Sequence, residues 1–153
     1  MALPRWVADE MLGRLARYLR FVGCDTVYGR GLPDDELIAL AQREGRVLLT
    51  RDRPLSLRTS SAFLIESPIL EEQWRAVRAA WPQVPKAPSF SRCTLCNGVL
   101  VTRPRARGEV EDPGLPPAVR RGEAPLYACE TCGHLYWDGS HTSKVRERLS
   151  SWG

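Results

Sequence analysis

The chain has 153 residues, a formal net charge of +4 and a pI near 9.0, and arginine supplies nearly all of the positive charge. No apolar run approaches the roughly 20 residues of a membrane-spanning helix, and the apolar N-terminal stretch is too short for a secretory signal, so we expect a cytoplasmic protein without membrane contacts. Guanidinium groups suit bidentate contact with phosphate, which favours a polyanionic partner, but a genome rich in G and C enriches arginine in the same way.

Strands and helices alternate through the first eighty residues. Apolar runs predict strands at 5–8, 26–28, 46–50 and 62–65, and helical spacing predicts helices at 11–22, 35–44 and 67–81. Asp34 is a good N-cap for the second of these helices. The short connections predict a mostly parallel sheet with helices on both faces, joined by right-handed crossovers. The predicted fold class is therefore three-layer α/β.

A second, smaller module follows a proline-rich segment. Three prolines between 82 and 88 predict a stiff linker, which divides the chain into a domain at 1–82, a linker at 83–91 and a module at 92–153. Within this module we expect strands at 99–101 and 126–128, a long exposed loop at 103–124 and a final helix capped by Ser140.

Two CxxC pairs indicate a metal site in this module. They are Cys93 with Cys96 and Cys129 with Cys132. Each pair brings two thiolates to one ion, and reducing conditions in the cytoplasm favour zinc over disulfides. Four thiolates complete a tetrahedral shell, so we expect a structural zinc ion and leave His134 and His141 out of the ligand set. Cys24, the fifth cysteine, is typical of a small buried apolar residue.

Carboxylates follow the predicted strands at the edge where open parallel sheets bind ligands. Asp9 follows the first strand and Asp52 follows the third. Asp34 and Asp35 open the helix after the second strand and should reach the same edge, whereas Asp25 precedes its strand and should face the opposite edge. Such a cluster favours Mg²⁺ or Mn²⁺, which polarises a phosphodiester and lowers the pKa of a bound water. The alternative is that these acids only cap helices or pair with arginines.

Arginines lie near this predicted acidic edge. Arg14, Arg17 and Arg20 are three residues apart on the first helix, beginning one turn after the first acid, and would guide a nucleic-acid backbone toward the site. Arg51 and Arg53 flank the last acid and would hold the scissile phosphate. The alternatives are a solvated helix face for the first group and charge balance for the second.

Five segments of the sequence match one known pattern in order. They are Asp9-Glu-Met-Leu-Gly-Arg-Leu-Ala-Arg-Tyr-Leu-Arg20, Gly23-Cys-Asp25, Leu48-Leu-Thr-Arg-Asp52, Ser91-Arg-Cys-Thr-Leu-Cys-Asn97 and Cys132-Gly-His-Leu-Tyr-Trp-Asp-Gly-Ser-His141. The chain thereby resembles the Mut-seven C-terminal ribonuclease family over nearly its whole length. The resemblance implies a PIN-like nuclease domain, a zinc ribbon and metal-dependent cleavage of RNA, with the family's acidic positions at Asp9, Asp35 and Asp52. PIN-like nucleases commonly gather four acids, and after the last of these the first domain offers only Glu66, Glu71 and Glu72.

The leading hypothesis is a metal-dependent ribonuclease whose three aspartates hold Mg²⁺ or Mn²⁺, whose arginines steer RNA and whose zinc ribbon binds or positions the substrate. The rival hypothesis is a non-catalytic RNA-binding or ribosome-associated zinc-ribbon protein. Tyr136, Trp137 and His141 either stack on bases of single-stranded RNA or cover the thin core of the ribbon. The sequence indicates no protein partner.

Overall fold

Four parallel strands form the central sheet. They are β1 (Arg5–Ala8), β2 (Thr26–Tyr28), β3 (Arg46–Thr50) and β4 (Ala62–Leu64). The computed structural model describes residues 2–103 and 114–153, and the strand order is β2-β1-β3-β4 with parallel pairing throughout. The chain passes from β1 to β2 on one side and then crosses back to β3 on the other. The strand order therefore reverses between β1 and β3, which is where open α/β sheets bind ligands.

The longer helices lie close to the positions that the sequence predicts, whereas the short helices at Arg53–Ser56 and Pro117–Arg120 are not predicted. A 3₁₀ turn at Glu10–Leu12 leads into α1 (Gly13–Phe21), followed by α2 (Asp34–Glu44), α3 (Arg53–Ser56), α4 (Leu70–Ala80), α5 (Pro117–Arg120) and α6 (Ser140–Ser151). The prediction that Asp34 caps α2 is wrong, because extended Pro33 takes the N-cap position and Asp34 is the first helical residue. Among the residues that the structure describes, no helix is long and apolar enough to cross a membrane.

Side chains of the two central strands alternate between two apolar layers. Trp6, Ala8 and Leu49 pack on the side of α1, α4 and α6, while Val7 and Leu48 pack on the side of α2 and α3. All five side chains are fully buried. Continuous apolar strands are typical of a parallel sheet covered on both faces, and the result is the three-layer α/β arrangement that the sequence predicts.

A small antiparallel sheet carries the cysteines. It consists of β5 (Leu100–Thr102), β6 (Tyr127–Cys129) and β7 (Leu135–Tyr136). The predicted loop at 103–124 falls partly on 104–113, outside the described residues. Its remainder is not a wholly exposed loop, because Leu115 and Val119 are buried against Leu126 across the short helix α5. The partly buried Leu135 of β7 packs against these residues, so this segment contacts the small sheet.

The proline-rich segment and the last helix both pack against the rest of the molecule. Val84 is buried in the same layer as α1, and the Phe90 ring stacks on Tyr127 with 4.9 Å between centroids. Val145 and Leu149 of α6 belong to that layer as well, so the last helix lies on the first domain. The division at 1–82, 83–91 and 92–153 stays a prediction.

Candidate functional site

Thr50 joins Asp9 and Asp52 at the carboxyl edge of β1 and β3. The Thr50 hydroxyl donates a hydrogen bond to Asp9 Oδ2 at 2.8 Å and accepts one from the Asp52 backbone N–H at 2.9 Å. Asp9 Oδ1 also accepts from the Glu10 N–H, and Asp52 Oδ1 accepts from the Leu55 N–H as the cap of α3. Both acids lie at the edge that the topology predicts. Their capping bonds also match the structural alternative, in which these acids cap helical turns.

Asp35 lies on the first turn of α2 and is largely exposed. Its carboxylate pairs with Arg58, whose guanidinium also lies 3.9 Å from Asp34. These contacts raise the pKa of Arg58, chiefly through its hydrogen bond to Asp35. Sequence reasoning missed Arg58, because this pair joins positions 23 residues apart on different elements.

Glu66 follows β4 and lies beside the two arginines that flank Asp52. Arg53 pairs with the Glu66 carboxylate, and Arg51 donates to the Glu66 backbone oxygen at 3.4 Å. Because β4 is the parallel neighbour of β3, Glu66 lies past the carboxyl end of its strand at the same edge of the sheet as Asp52. In the described residues, the carboxylate oxygens of Asp9, Asp35 and Asp52 do not all lie within 4.8 Å of one another. The ligand atoms of the four cysteines do lie this close together.

The four cysteine sulfurs form a compact cluster. Cys93 Sγ lies 3.6 Å from Cys132 Sγ, and Cys96 Sγ lies 3.5 Å from Cys129 Sγ. Thiolates at about 2.3 Å from a tetrahedral ion are about 3.8 Å apart, whereas disulfide sulfurs are about 2.0 Å apart. The spacing therefore fits a metal ion such as zinc, as the CxxC pairs predict.

Backbone and side-chain donors surround these sulfurs. The N–H groups of Thr131 and Cys132 point at Cys129 Sγ at 3.4 and 3.5 Å, and the Tyr136 hydroxyl lies 3.1 Å from Cys93 Sγ. Burial opposes ionisation of Cys129, but the two backbone N–H donors and the thiols of Cys96 and Cys132 outweigh it and lower its pKa to about 7. Gly98 is required here, because a Cβ at that position would lie 2.6 Å from Cys129 Sγ. The surroundings of Cys129 thus favour thiolate, the form that binds zinc, whereas burial and its thiol neighbours raise the pKa of Cys96.

The model of one protein family, described as the Mut7-C RNAse domain, matches residues 4–149 of this sequence. The chain belongs to this family. It is also 25% identical over 218 aligned residues to the human protein named exonuclease mut-7 homolog, with 92% of the chain and 25% of that protein covered. The chain thus spans about a quarter of the length of this relative. No solved structure matches the chain. Membership of the Mut7-C RNAse domain family supports a nuclease-type function.

In this Mut7-C chain, Asp25 anchors the cysteine module to the opposite edge of the sheet. Its carboxylate accepts hydrogen bonds from Arg46 at 2.8 Å and from Asn97 Nδ2 at 2.7 Å, and Arg92 lies 3.6 Å away. Asn97 Oδ1 in turn accepts from the Thr26 N–H of β2. Burial opposes ionisation of Asp25, but the Arg46 and Asn97 hydrogen bonds and the nearby positive charges lower its pKa. Asp25 lies at the opposite edge, as its position before β2 predicts, but its contact with the cysteine module was not predicted.

Arg20 does not belong to the exposed arginine row. It is buried, and its guanidinium donates to the backbone oxygens of Thr26 at 2.8 Å and Thr94 at 3.0 Å. The prediction that it steers nucleic acid is therefore wrong, because the cysteine module covers this end of α1. Arg14 and Arg17 remain exposed, as predicted. The only indication in the sequence that Arg20 differs from the other two arginines is its position near the C-terminal end of the helix.

Two of the three aromatic residues after the last cysteine take the structural role that the sequence allows. Tyr136 packs with Cys93 and donor contacts to its hydroxyl fix it in place, while Trp137 packs against the cluster around α5. These two cover the small core. His141 is exposed, with its ring 5.6 Å from that of Phe21 on α1.

Proposed function

We propose that this protein is a metal-dependent ribonuclease with a PIN-like domain, whose acidic site consists of Asp9, Asp35 and Asp52. The observation that carries the proposal is the shared hydrogen bonding of Asp9 and Asp52 through Thr50, at the point of strand reversal, in a member of an RNase domain family. A ligand site at this position follows the general rule for open α/β sheets.

The donor set at this edge suits a hard divalent cation. Carboxylate oxygens are the ligands that Mg²⁺ and Mn²⁺ prefer, and Asp9, Asp35 and Asp52 are the residues that would hold the ion. When bound, the ion polarises the phosphodiester and activates water. Thr50 fixes the carboxylate of Asp9 and the backbone at Asp52, so both acids are oriented before the ion arrives.

Glu66 is the residue that best completes the acidic set. It follows β4 at the same edge, and its partner Arg53 is exposed and free to turn toward a phosphate. Arg51 and Arg53 would contact the substrate beside Asp52, since guanidinium groups bind phosphate bidentately. The zinc module, anchored through Asp25, would position RNA at a fixed distance from the acids.

A non-catalytic RNA-binding protein is the second candidate. The observation in its favour is the pairing of Asp35 with Arg58, which places a guanidinium where a cation would bind. An exposed pair of this kind is screened by water and contributes little to stability, so an incoming divalent ion displaces it at low cost. We therefore place the enzyme first.

The test is RNA cleavage by wild type, Asp52→Asn and Glu123→Gln proteins of equal zinc content. Glu123 is an exposed carboxylate of the cysteine module, so its substitution controls for loss of one negative charge. We expect Asp52→Asn to lose cleavage by at least about 100-fold, the scale of removing an electrostatic catalytic group, and Glu123→Gln to retain it. Equal rates in all three proteins contradict the proposed site.

A further inference from the structure

A groove runs between α1 and α6 and continues onto the cysteine module. Its first part is a cavity of about 260 Å³ between the two helices, and its second part is a cavity of about 360 Å³ beside β7. Arg17, Phe21 and His141 line both cavities. The two parts are therefore one continuous surface.

The groove between the helices is positively charged. Arg14, Arg17, Lys144 and Arg148 line it, and no carboxylate of residues 2–103 or 114–153 lines either cavity. Among the residues that the structure describes, Arg14, Arg17 and Lys144 take part in no ion pair. Arg148 donates to the Tyr18 hydroxyl at 2.7 Å, which holds its guanidinium at the wall. Positive groups without acidic partners attract the phosphates of a polyanion.

An aromatic pair lies at the junction of the two cavities. The Phe21 and His141 rings are 5.6 Å apart and inclined by 50°. Flat rings beside a positively charged track are the usual platform for unpaired bases, which stack on them without sequence preference. Duplex RNA keeps its bases stacked inside the helix, so it presents no base to such a platform.

The groove also leads toward the acidic edge. Arg14 lies in the first turn of α1, five residues after Asp9, and Phe21 is the last residue of that helix. At about 1.5 Å per residue, the row from Arg14 to Phe21 spans roughly 10 Å. One end of the groove is therefore near the proposed site and the other is on the cysteine module.

We propose that this groove binds a single-stranded segment of RNA, with phosphates on its arginines and Lys144 and a base on Phe21 and His141. The inference rests on the proposed function and deepens it, because it names unpaired RNA as the substrate class and adds Lys144, Arg148, Phe21 and His141 to the binding residues.

The charge of the groove is tested with the two lysines of the chain. Lys144 lines the groove, whereas Lys86 lies exposed in the proline-rich segment, so Lys144→Glu and Lys86→Glu change the net charge equally. Binding of a labelled single-stranded RNA is followed by fluorescence anisotropy over a salt series, in zinc-loaded Asp52→Asn protein without added Mg²⁺ or Mn²⁺. We expect Lys144→Glu to weaken binding about fivefold or more and to reduce the salt slope by about 0.7, the value for one lost phosphate contact. Equal effects of both variants overturn the proposal.

The aromatic contact is tested at pH 8 with His141→Ala and His141→Trp. Loss of one stacked base predicts about fivefold or greater weakening for His141→Ala with an unchanged salt slope, and an aromatic replacement should restore binding. A duplex of the same sequence should bind more weakly than the single strand. Unaltered binding by His141→Ala, or equal affinity for the duplex, contradicts the inference.

These outcomes are separate from the test of catalysis. If the wild type cleaves RNA but substitution of Lys144 and His141 leaves RNA binding unchanged, the groove proposal is contradicted and the proposed function is not. Binding that depends on the groove, in a protein that cleaves nothing, would support the groove and contradict the proposed function.

Discussion

Thr50 is the side chain on which the acidic edge depends. Its hydroxyl donates to Asp9 and accepts from Asp52 at the same time, and no apolar residue does either. The residue is fully buried, so both bonds are shielded from water. Neither acid is held in this orientation by any other side chain among the described residues. Thr50 is therefore a positioning residue for the proposed site.

Thr50→Val should lower RNA cleavage by about 10- to 100-fold, the usual effect of losing a group that orients metal ligands. Thr26→Val is the matched control, because Thr26 is an equally buried threonine at the opposite edge of the sheet, with its hydroxyl bonded to Cys24 O. Both variants should lose about 1–3 kcal/mol of unfolding free energy. A similar loss of activity in both would show that Thr50 acts only through stability.

Asp25 should make stability depend on pH. Its folded pKa lies below the ordinary value, so its contribution is fully present above about pH 3.9 and is lost as pH falls through the lower folded value. We expect Asp25→Asn to reduce the free energy of unfolding by about 1–3 kcal/mol at pH 7. Urea unfolding of both proteins from pH 7 to pH 3 should show this difference shrinking at the acidic end. A difference that does not vary with pH contradicts the assignment.

Among the elements, the cysteine module is joined to the first domain by contacts of the turn that carries its first CxxC pair. Thr94 O accepts from Arg20, and Asn97, in the left-handed region at φ 68°, bonds to both Asp25 and Thr26. A metal ion that orders this turn therefore also orders the contact with the sheet. Loss of the ion should destabilise the first domain as well as the module.

Cys129→Ser should reduce bound zinc and lower the melting temperature of the whole chain. Cys24→Ala is the control, since Cys24 is the fifth cysteine, is buried in the first domain and lies outside the sulfur cluster. Zinc content is measured by elemental analysis and unfolding by circular dichroism. Because structural zinc contributes folding free energy directly, unchanged zinc and unchanged melting in Cys129→Ser would contradict the structural-zinc prediction.

The elements also show what sequence reasoning reaches. Apolar runs and helical spacing predict all four strands of the parallel sheet, and parallel pairing then brings Asp9 and Asp52 to one edge. Contacts of long sequence separation leave no such pattern. Arg20 has the same spacing as Arg14 and Arg17, yet it is buried because residues 94 and 26 meet it in the fold. Asn97 and Arg58 were missed for the same reason.

At the scale of the whole molecule, the last helix returns to the first domain and completes it. Trp152 contacts Tyr18 and Trp74, with ring centroids 5.1 and 6.5 Å apart, and Val145 and Leu149 are buried beside α1. The same return forms the groove between α1 and α6. The acids, the groove and the cysteine module are thereby parts of one packed structure, as the proposed cleavage of a single strand bound in the groove requires.

The rate of RNA cleavage as a function of Mn²⁺ concentration tests the metal-dependent ribonuclease most directly. Wild-type, Asp9→Asn and Asp52→Asn proteins of matched zinc content are compared on single-stranded and structured RNA, with Mg²⁺ and metal-free buffer alongside. We predict saturable activation of the wild type, no cleavage without added metal, and loss of activation in both variants. Equal traces of cleavage in all three proteins, independent of Mn²⁺, would contradict the account and favour the non-catalytic RNA-binding protein.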